Sequence, residues 1–197
     1  MHSFAVINNR KLQKVDSLEL PFSKSLSNRL LILRYLAGSS LQIRNLSSSD
    51  DTVLLNEALE KVKHYSLTTI TKHKSTTFEN DFVEVECKNA GTVCRFLLSL
   101  LSITSGKWLL NADQRMEQRP IIPLIECLKS LGADIESVYP NKIFPLQIKG
   151  KQLKCSGLIT LPSNLSSQFI SSLAMIAPYV DGGLRIFLHT SQVSLPY

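Results

Sequence analysis

The chain has few of the residues on which metal centres and disulfide frameworks depend. It contains four cysteines and four histidines among 197 residues, and no two cysteines have C-x-x-C spacing. A cysteine content this low does not predict a disulfide framework. The scattered histidines form no metal signature with the cysteines. We therefore expect reduced thiols, no bound metal and a cytoplasmic location.

Motifs of several large enzyme classes are also absent. The sequence contains no G-x-x-x-x-G-K-[ST] loop, no G-x-G-x-x-G turn and no G-x-S-x-G elbow, which argues against P-loop, dinucleotide-binding and serine-hydrolase sites. Its apolar stretches are broken by serine or arginine before they reach the length of a membrane span. The first residues lack the pattern of a signal peptide. We expect neither a membrane partner nor export.

The composition is that of an ordinary globular protein with an excess of basic residues. Hydrophobic residues make up 44% of the chain and charged residues 19%, enough for a core of one or two domains. The net charge of +6 favours anionic partners. A single tryptophan and the lack of a basic run interleaved with aromatics argue against nucleic acid.

Apolar periodicity and turn residues predict an α/β protein in which helices and strands alternate. Predicted helices cover residues 27–37, 51–62, 92–104, 121–131 and 168–177. Predicted strands cover residues 4–7, 17–20, 41–46, 82–86, 108–111, 135–138, 146–149, 158–161 and 184–188. Asp50 and Asp51 fit the start of the second helix, and Pro120 that of the fourth. Residues 64–81 are polar and predict surface strands with a loop.

Three of the predicted helices begin with clusters of polar residues. The clusters are residues 21–29 (Pro-Phe-Ser-Lys-Ser-Leu-Ser-Asn-Arg), 89–95 (Asn-Ala-Gly-Thr-Val-Cys-Arg) and 163–169 (Ser-Asn-Leu-Ser-Ser-Gln-Phe). Lys24 and Arg29 oppose the positive end of the helix dipole unless an anion binds near them. Gly91 would allow a ligand to approach the backbone closely. Recurrence at roughly 70-residue intervals predicts repeated β-α-β-α-β-β units.

Five motifs in order carry a resemblance to a known family. They are residues 23–29 (Ser-Lys-Ser-Leu-Ser-Asn-Arg), 89–92 (Asn-Ala-Gly-Thr), 115–121 (Arg-Met-Glu-Gln-Arg-Pro-Ile), 166–169 (Ser-Ser-Gln-Phe) and 193–197 (Val-Ser-Leu-Pro-Tyr). The chain resembles the 5-enolpyruvylshikimate-3-phosphate synthases, enolpyruvyl transferases built from two similar lobes in an inside-out α/β barrel. The resemblance implies that residues 1–20 are strands of the other lobe and that residues 21–197 form an incomplete lobe.

The resemblance also implies a reaction. Enzymes of this family transfer the enolpyruvyl group of phosphoenolpyruvate to the 5-hydroxyl of shikimate 3-phosphate and release phosphate, in the pathway to chorismate and the aromatic amino acids. They use no metal and no organic cofactor. The implied partners are the two small-molecule substrates and the C-terminal lobe. That lobe supplies the proton-transfer groups and the arginines for the phosphoenolpyruvate carboxylate, so we expect this chain to be inactive alone.

The motifs carry site residues with them. The implied ligands of shikimate 3-phosphate are Lys24, Ser25, Arg29, Ser166, Ser167, Gln168, Ser194 and Tyr197. The implied ligands of phosphoenolpyruvate are Lys24, Asn89, Gly91, Arg119 and Gln168. Lys24 is the implied catalytic residue, between the two substrates. Arg95 and Arg115 also match family positions, and we expect Arg95 to support the site from outside.

The chain departs from the common form of the motifs at Phe22, Lys88, Phe96 and Leu195. Leu195 stands between Ser194 and Pro196, where the family usually has lysine. Two alternatives remain open. One is the related UDP-N-acetylglucosamine enolpyruvyl transferase, although that enzyme has asparagine where Ser25 follows Lys24. The other is a non-catalytic module that binds a phosphorylated metabolite or a partner protein.

Overall fold

The computed structural model describes residues 21–71, 82–155, 157–161 and 166–188. The N-terminal region assigned to another lobe, residues 1–20, lies outside these ranges together with its two predicted strands. The described chain begins with two helices, α1 (Lys24–Leu36) and α2 (Asp50–Thr71). They pack against each other, and Arg34 of α1 donates a 3.1 Å hydrogen bond to the side chain of Asn56 on α2.

The central part of the chain is one complete β-α-β-α-β-β unit, as the sequence predicted. Its elements are β1 (Val83–Glu86), α3 (Gly91–Ile103), β2 (Gly106–Asn111), α4 (Ile122–Ser130), β3 (Asp134–Ser137) and β4 (Leu146–Gly150). The four strands form one sheet in the order β1-β2-β4-β3. Strands β1 and β2 are parallel, and β4 is antiparallel to both of its neighbours. The predicted α/β class is confirmed.

A further β-α-β unit follows, made of β5 (Leu158–Leu161), α5 (Ser167–Ile176) and β6 (Arg185–Leu188). Strands β5 and β6 pair in parallel as a separate two-stranded sheet. Short 3-10 helices at Gln114–Gln118 and Ala177–Tyr179 complete the described elements. Across these residues the sheets contain four and two strands, so the described part of the chain does not close into a barrel.

Helix α3 is the centre of the core. Apolar residues occupy all of its faces, and such a helix is stable only when protein surrounds it. Accordingly, every residue of α3 from Val93 to Ser102 is buried. Helices α1, α2, α4 and α5 pack around it, and strand β4 lies against it. This burial fixes the N-terminal end of α3, where one of the polar clusters lies.

The predicted strand at residues 41–46 is wrong. Its alternating apolar pattern is real, but a strand also needs a neighbouring strand, and this segment pairs with none in the described part of the chain. Asn45 has a φ of 62°, a left-handed conformation that interrupts extended backbone. Leu41 is 75% exposed. The segment instead reaches α1 through the backbone N–H of Ser47, which donates to Ser27 Oγ at 2.9 Å.

The predicted strands and loop at residues 64–81 are wrong as far as Thr71, because α2 continues to that residue. Residues 72–81 lie outside the described ranges. The extension is explained by a tertiary contact, since the ring of Tyr65 packs edge-on against Trp108 with centroids 5.1 Å apart. A local preference for strand is weaker than such an aromatic contact in the core. Within the helix, Ser66 Oγ donates to the Val62 carbonyl at 2.9 Å.

Two predicted helix starts shift, that of α1 by three residues and that of α4 by one. Helix α1 begins at Lys24 rather than residue 27, because Ser23 is the N-cap and its Oγ accepts the Leu26 N–H at 3.3 Å. Helix α4 begins at Ile122, so Pro123, not Pro120, occupies its first turn. Proline suits that position because the missing N–H would have no partner in the helix.

Candidate functional site

The start of α1 places Lys24 beside an acidic residue of α2. Lys24 Nζ lies 2.9 Å from Asp51 Oδ2, and the two side chains are 51% and 24% exposed. Asp51 was predicted only as a helix-start residue, and its partner could not be read from the sequence because the two lie 27 positions apart. A half-exposed pair of this kind contributes at most about 1 kcal/mol to stability. The contact therefore orients the amine of Lys24 more than it stabilises the fold.

Arg29 joins α1 to both α3 and α5. Its Nη2 donates to Ser171 Oγ on α5 at 2.8 Å, and its Nη1 donates to the Ser25 carbonyl at 3.0 Å and to the Ser25 hydroxyl. The guanidinium also lies over the ring of Phe96 on α3, 5.5 Å from the centroid. Partial burial lowers the pKa of Arg29, although an arginine remains charged near neutral pH. The structure thus brings Ser25 and Arg29 together.

The start of α3 lacks a side-chain cap. The N-cap residue is Ala90, which has no side-chain acceptor for the first free N–H groups of the helix. The preceding Lys88 has a φ of 46° in the turn that leads into it. Uncapped N–H groups at a helix start are an anion-binding feature when cations lie beside them.

Two arginines lie over Gly91 at this helix start. A β-carbon added to Gly91 would be 2.8 Å from Arg119 Nη1 and 2.9 Å from Arg95 Nη1. Only glycine leaves room for both guanidinium groups at this distance. Arg119 follows the 3-10 helix Gln114–Gln118.

Arg95 connects the start of α3 to the start of α5. Its Nη1 donates to Gln168 Oε1 at 2.7 Å, and its Nη2 donates to the Pro120 carbonyl at 2.8 Å. The side chain is 6% exposed and stacks over Phe169, with 4.8 Å from Cζ to the ring centroid. Burial lowers the pKa of Arg95, a neighbouring cysteine opposes this, and the charge of Arg119 lowers the pKa further. An anion bound here would relieve the repulsion between the two arginines.

The start of α5 supplies uncharged hydrogen-bonding groups. Ser166 is the N-cap, and its Oγ accepts the Gln168 N–H at 3.3 Å. Ser167 is the first residue of the helix and is half-buried. Gln168 is held by Arg95. Three predicted residues therefore stand at one helix start, next to the arginine that was expected to support the site.

The remaining predicted residues are less closely joined. Asn89 is exposed in the turn before α3, and Arg115 is exposed in the short 3-10 helix. Ser194 and Tyr197 lie outside the described residues.

No group of three or more potential metal ligands occurs in the described part of the chain. None of the helices in these ranges is long and apolar enough to cross a membrane.

Two features of the site were missed in the sequence. Ser171, the partner of Arg29, follows Gln168 by three positions and so lies on the same helical face. Asn28 is fully buried beside Arg29 in the chain and accepts a 2.8 Å hydrogen bond from Thr52 Oγ1. Helical spacing from the predicted Gln168 could have indicated Ser171. No local signal connects Asn28 with Thr52, because their contact joins α1 to α2.

Together the fold and the cluster define a class of α/β proteins built from β-α-β-α-β-β units with cations and hydroxyl groups at the helix starts. The sequence profile of the family described as EPSP synthase (3-phosphoshikimate 1-carboxyvinyltransferase) matches residues 10–197. The chain belongs to this family, and the resemblance noted from its five motifs is confirmed.

Individual relatives agree with this assignment. The chain is 39% identical to the 3-phosphoshikimate 1-carboxyvinyltransferase of Bacteroides fragilis strain YCH46 over 181 residues, which is 92% of this chain and 39% of the relative. It is 37% identical to the enzyme of that name from Marinomonas sp. strain MWYL1, covering 91% and 44%. The chain thus spans about two fifths of the length of these relatives.

A solved structure shows the same fold. The EPSP synthase of Acinetobacter baumannii superposes with a TM-score of 0.65 at 16% identity, over 90% of this chain and 41% of that one. At this identity the likeness concerns the fold alone. It agrees with the mixed α/β architecture described above.

Proposed function

We propose that this chain supplies the N-terminal part of an active site that transfers the enolpyruvyl group from phosphoenolpyruvate to shikimate 3-phosphate. The observation that carries the proposal is the joining of three helix starts by arginines. Arg29 links α1 with α5, and Arg95 links α3 with α5, through hydrogen bonds of 2.8 Å and 2.7 Å. Scattered surface polarity would not produce these direct connections between distant segments.

The start of α3 fits the phosphate of phosphoenolpyruvate. Arg119 and Arg95 both reach the space above Gly91, and the uncapped N–H groups of α3 point out of the same helix end. A phosphate there would accept charge-assisted hydrogen bonds from both arginines. The same groups would stabilise the charge that develops on phosphate as the C–O bond breaks.

The starts of α1 and α5 fit shikimate 3-phosphate. Ser166, Ser167 and the free N–H groups of α5 would hold its phosphate, and Gln168 would reach toward both substrates. Arg29 with the Ser25 hydroxyl would bind the carboxylate, for which the planar guanidinium is well suited. Lys24, oriented by Asp51, would lie between the substrates and hold the phosphoenolpyruvate phosphate. Because burying several anionic groups is costly unless each is paired, these cations are expected to act together.

Catalysis needs more than this chain. The family resemblance assigns the proton-transfer groups to the part of the relatives that this chain does not span, and each such group typically contributes 10²–10⁴-fold in rate. We therefore propose that the chain binds shikimate 3-phosphate but turns over little substrate alone. We place the protein in the cytoplasm, which is supported by its four free cysteines.

Calorimetry with shikimate 3-phosphate tests the binding part of the proposal. We expect binding that shikimate without the phosphate does not reproduce, and weaker binding when Ser166 and Ser167 are both changed to alanine. Ser130→Ala is a matched control, because that serine is exposed at the end of α4, and within the described ranges its hydroxyl hydrogen-bonds only to the Cys127 carbonyl of its own helix. Equal affinity of the double variant and the control would refute the assignment of α5.

The alternative of a non-catalytic binding module makes a different prediction for a reconstituted protein. Mixing the chain with a polypeptide that comprises the remaining C-terminal part of the Bacteroides fragilis relative separates the two. Release of phosphate from phosphoenolpyruvate in the mixture would support the transferase. Unchanged binding of shikimate 3-phosphate without phosphate release would support the module.

A further inference from the structure

The motif at residues 115–121 contains an acidic residue, Glu117, that the proposed function does not use. Glu117 is the fourth residue of the 3-10 helix Gln114–Gln118 and stands two positions before Arg119. The hydrogen bonds inside so short a 3-10 helix have poor geometry, and Arg119 has extended backbone with a φ of −96° and a ψ of 141°. The placement of the Arg119 side chain therefore depends on what fixes this segment to the rest of the fold.

Both carboxylate oxygens of Glu117 accept hydrogen bonds from the loop between β3 and β4. Oε2 accepts the Ile143 N–H at 2.9 Å, and Oε1 accepts the Phe144 N–H at 3.0 Å. One bond on each oxygen fixes the orientation of the carboxylate as well as its position, and bonds to an ionised acceptor are stronger than bonds between neutral groups. Glu117 thus ties the 3-10 helix to this loop.

The loop between β3 and β4 is in turn anchored to the sheet and the core. The Val138 N–H donates to the Pro145 carbonyl at 3.0 Å, which continues the pairing of the two strands by one step. Phe144 is 4% exposed and belongs to the hydrophobic core. Strand β4 lies between β2 and β3 in the sheet. A carboxylate that is held by this loop is therefore held by the sheet.

The two ends of the segment around Glu117 are tied to the start of α3. The Asp113 N–H donates to the Lys88 carbonyl at 3.0 Å, and the Pro120 carbonyl accepts a hydrogen bond from Arg95 Nη2 at 2.8 Å. Two ties leave a segment free to turn about the line that joins them. The tie through Glu117 lies between them in the chain and stops that rotation.

We propose that Glu117 is a positioning residue that holds the Arg119 guanidinium above Gly91 and so sets the affinity of the start of α3 for phosphate. The phosphate part rests on the proposed function, whereas the positioning part rests on the hydrogen bonds alone. Arg119 Nη1 would lie 2.8 Å from a β-carbon on Gly91, so rotation of the segment moves the guanidinium off this helix start. Loss of a hydrogen bond between charged groups weakens binding about tenfold or more, and we expect about fivefold when the bond is displaced rather than lost.

Charge and positioning predict opposite effects for Glu117→Gln. The substitution removes a negative charge two positions from Arg119, and through charge alone it would strengthen the binding of an anion. Glutamine also replaces one carboxylate oxygen by an NH₂ group, which cannot accept the N–H of Ile143 or Phe144. Positioning therefore predicts about fivefold weaker binding of inorganic phosphate in a titration of the 197-residue chain. Binding that is unchanged or stronger would overturn the proposal.

Two further variants separate charge from geometry. Glu126→Gln is the matched control, because Glu126 is exposed on α4 and the substitution removes the same charge. Phosphate affinity should not fall in this control, and an equal loss in both glutamine variants would overturn the proposal. Glu117→Asp keeps the charge but is one CH₂ shorter, so its carboxylate falls short of the two N–H groups. It should also bind phosphate more weakly, and wild-type affinity in this variant would count against positioning.

A double-mutant cycle with Arg119→Ala shows whether Glu117 acts through Arg119. In the Arg119→Ala background, Glu117→Gln should change phosphate affinity less than about twofold. An undiminished loss in that background would contradict the positioning role. Arg119→Ala alone tests the proposed function, because a variant that binds phosphate as tightly as the wild type would show that Arg119 is not an anion ligand.

Hydrogen exchange decides the positioning role without phosphate, and so independently of the proposed function. The Arg119 N–H donates to the Met116 carbonyl at 3.1 Å, and its exchange rate reports whether the end of the 3-10 helix stays in place. In ligand-free Glu117→Gln this amide should exchange faster than in the wild type, together with the amides of Ile143 and Phe144. Faster exchange in the loop with an unchanged rate at Arg119 would show that Glu117 secures only the loop, and would overturn the inference.

Discussion

Replacement of Gly91 by alanine perturbs the proposed anion site directly. The new methyl group would lie 2.8 Å from Arg119 Nη1 and 2.9 Å from Arg95 Nη1, whereas ordinary contacts begin at 3.4 Å. Each guanidinium must therefore retreat by about 0.5 Å or more. Arg95 cannot retreat freely, because the same nitrogen donates to Gln168 at 2.7 Å.

The effect on stability is small because two contributions oppose each other. Complete loss of a hydrogen bond to a charged group costs about 1.5–3 kcal/mol. Here the bond between Arg95 and Gln168 is only weakened, so the cost is a part of that amount. Alanine in a helix is favoured over glycine by about 0.5–1 kcal/mol. We expect a net loss of roughly 1 kcal/mol in the free energy of unfolding, measured by urea denaturation.

The effect on anion binding is larger, because the added methyl occupies space that both guanidinium groups border. Titration with inorganic phosphate, followed by the amide resonances of Ala90 and Thr92, should show at least about a tenfold loss of affinity, equivalent to about 1.4 kcal/mol. Gly157→Ala is the matched control, since a β-carbon there meets nothing within 4 Å. If the two variants bind phosphate equally, Gly91 is not part of an anion site.

Three further predictions use other contacts. Arg29→Lys loses the planar group that reaches Ser171 and should lower the free energy of unfolding by about 1–2 kcal/mol. In a double-mutant cycle with Ser171→Ala, strictly additive losses of unfolding free energy would mean that the two side chains do not interact. In a reconstituted full-length protein, Arg119→Ala should weaken phosphoenolpyruvate binding more than shikimate 3-phosphate binding in calorimetry, and equal losses would place Arg119 elsewhere. Burial and the nearby Cys155 raise the pKa of Cys127 from 9.0 to about 11, so the folded state holds this proton more tightly. The resulting stabilisation is complete below pH 9.0 and is lost as the pH rises to about 11. Urea denaturation should therefore show the wild type losing stability relative to Cys127→Ala over that pH range. A difference between the two proteins that stays constant with pH would contradict this prediction.

The fold was predictable where local pattern and tertiary contacts agree. Apolar periodicity located α3, α4 and α5 to within a residue or two, because each buries the face that its sequence marks as apolar. It failed at residues 41–46 and at the end of α2. In both places the outcome depends on residues distant in sequence. Residues 41–46 have no strand neighbour in the described part of the chain, and the extended end of α2 packs against Trp108.

In the candidate site, too, some features could be predicted from the sequence and others could not. Its residue types and their positions at helix starts could be predicted, because capping and anion binding are local properties of a helix end. The pairings could not. Lys24 with Asp51, Arg29 with Ser171 and Arg95 with Gln168 each join separate elements, and one sequence without structure carries no record of which elements meet.

The most direct test of the central claim is a titration of the ¹⁵N-labelled chain with shikimate 3-phosphate, followed by two-dimensional NMR. If the starts of α1, α3 and α5 form one site, amide resonances near Ser25, Gly91 and Gln168 should shift together and yield a single dissociation constant. Shifts confined to one helix start, or separate dissociation constants for the three, would contradict a shared site.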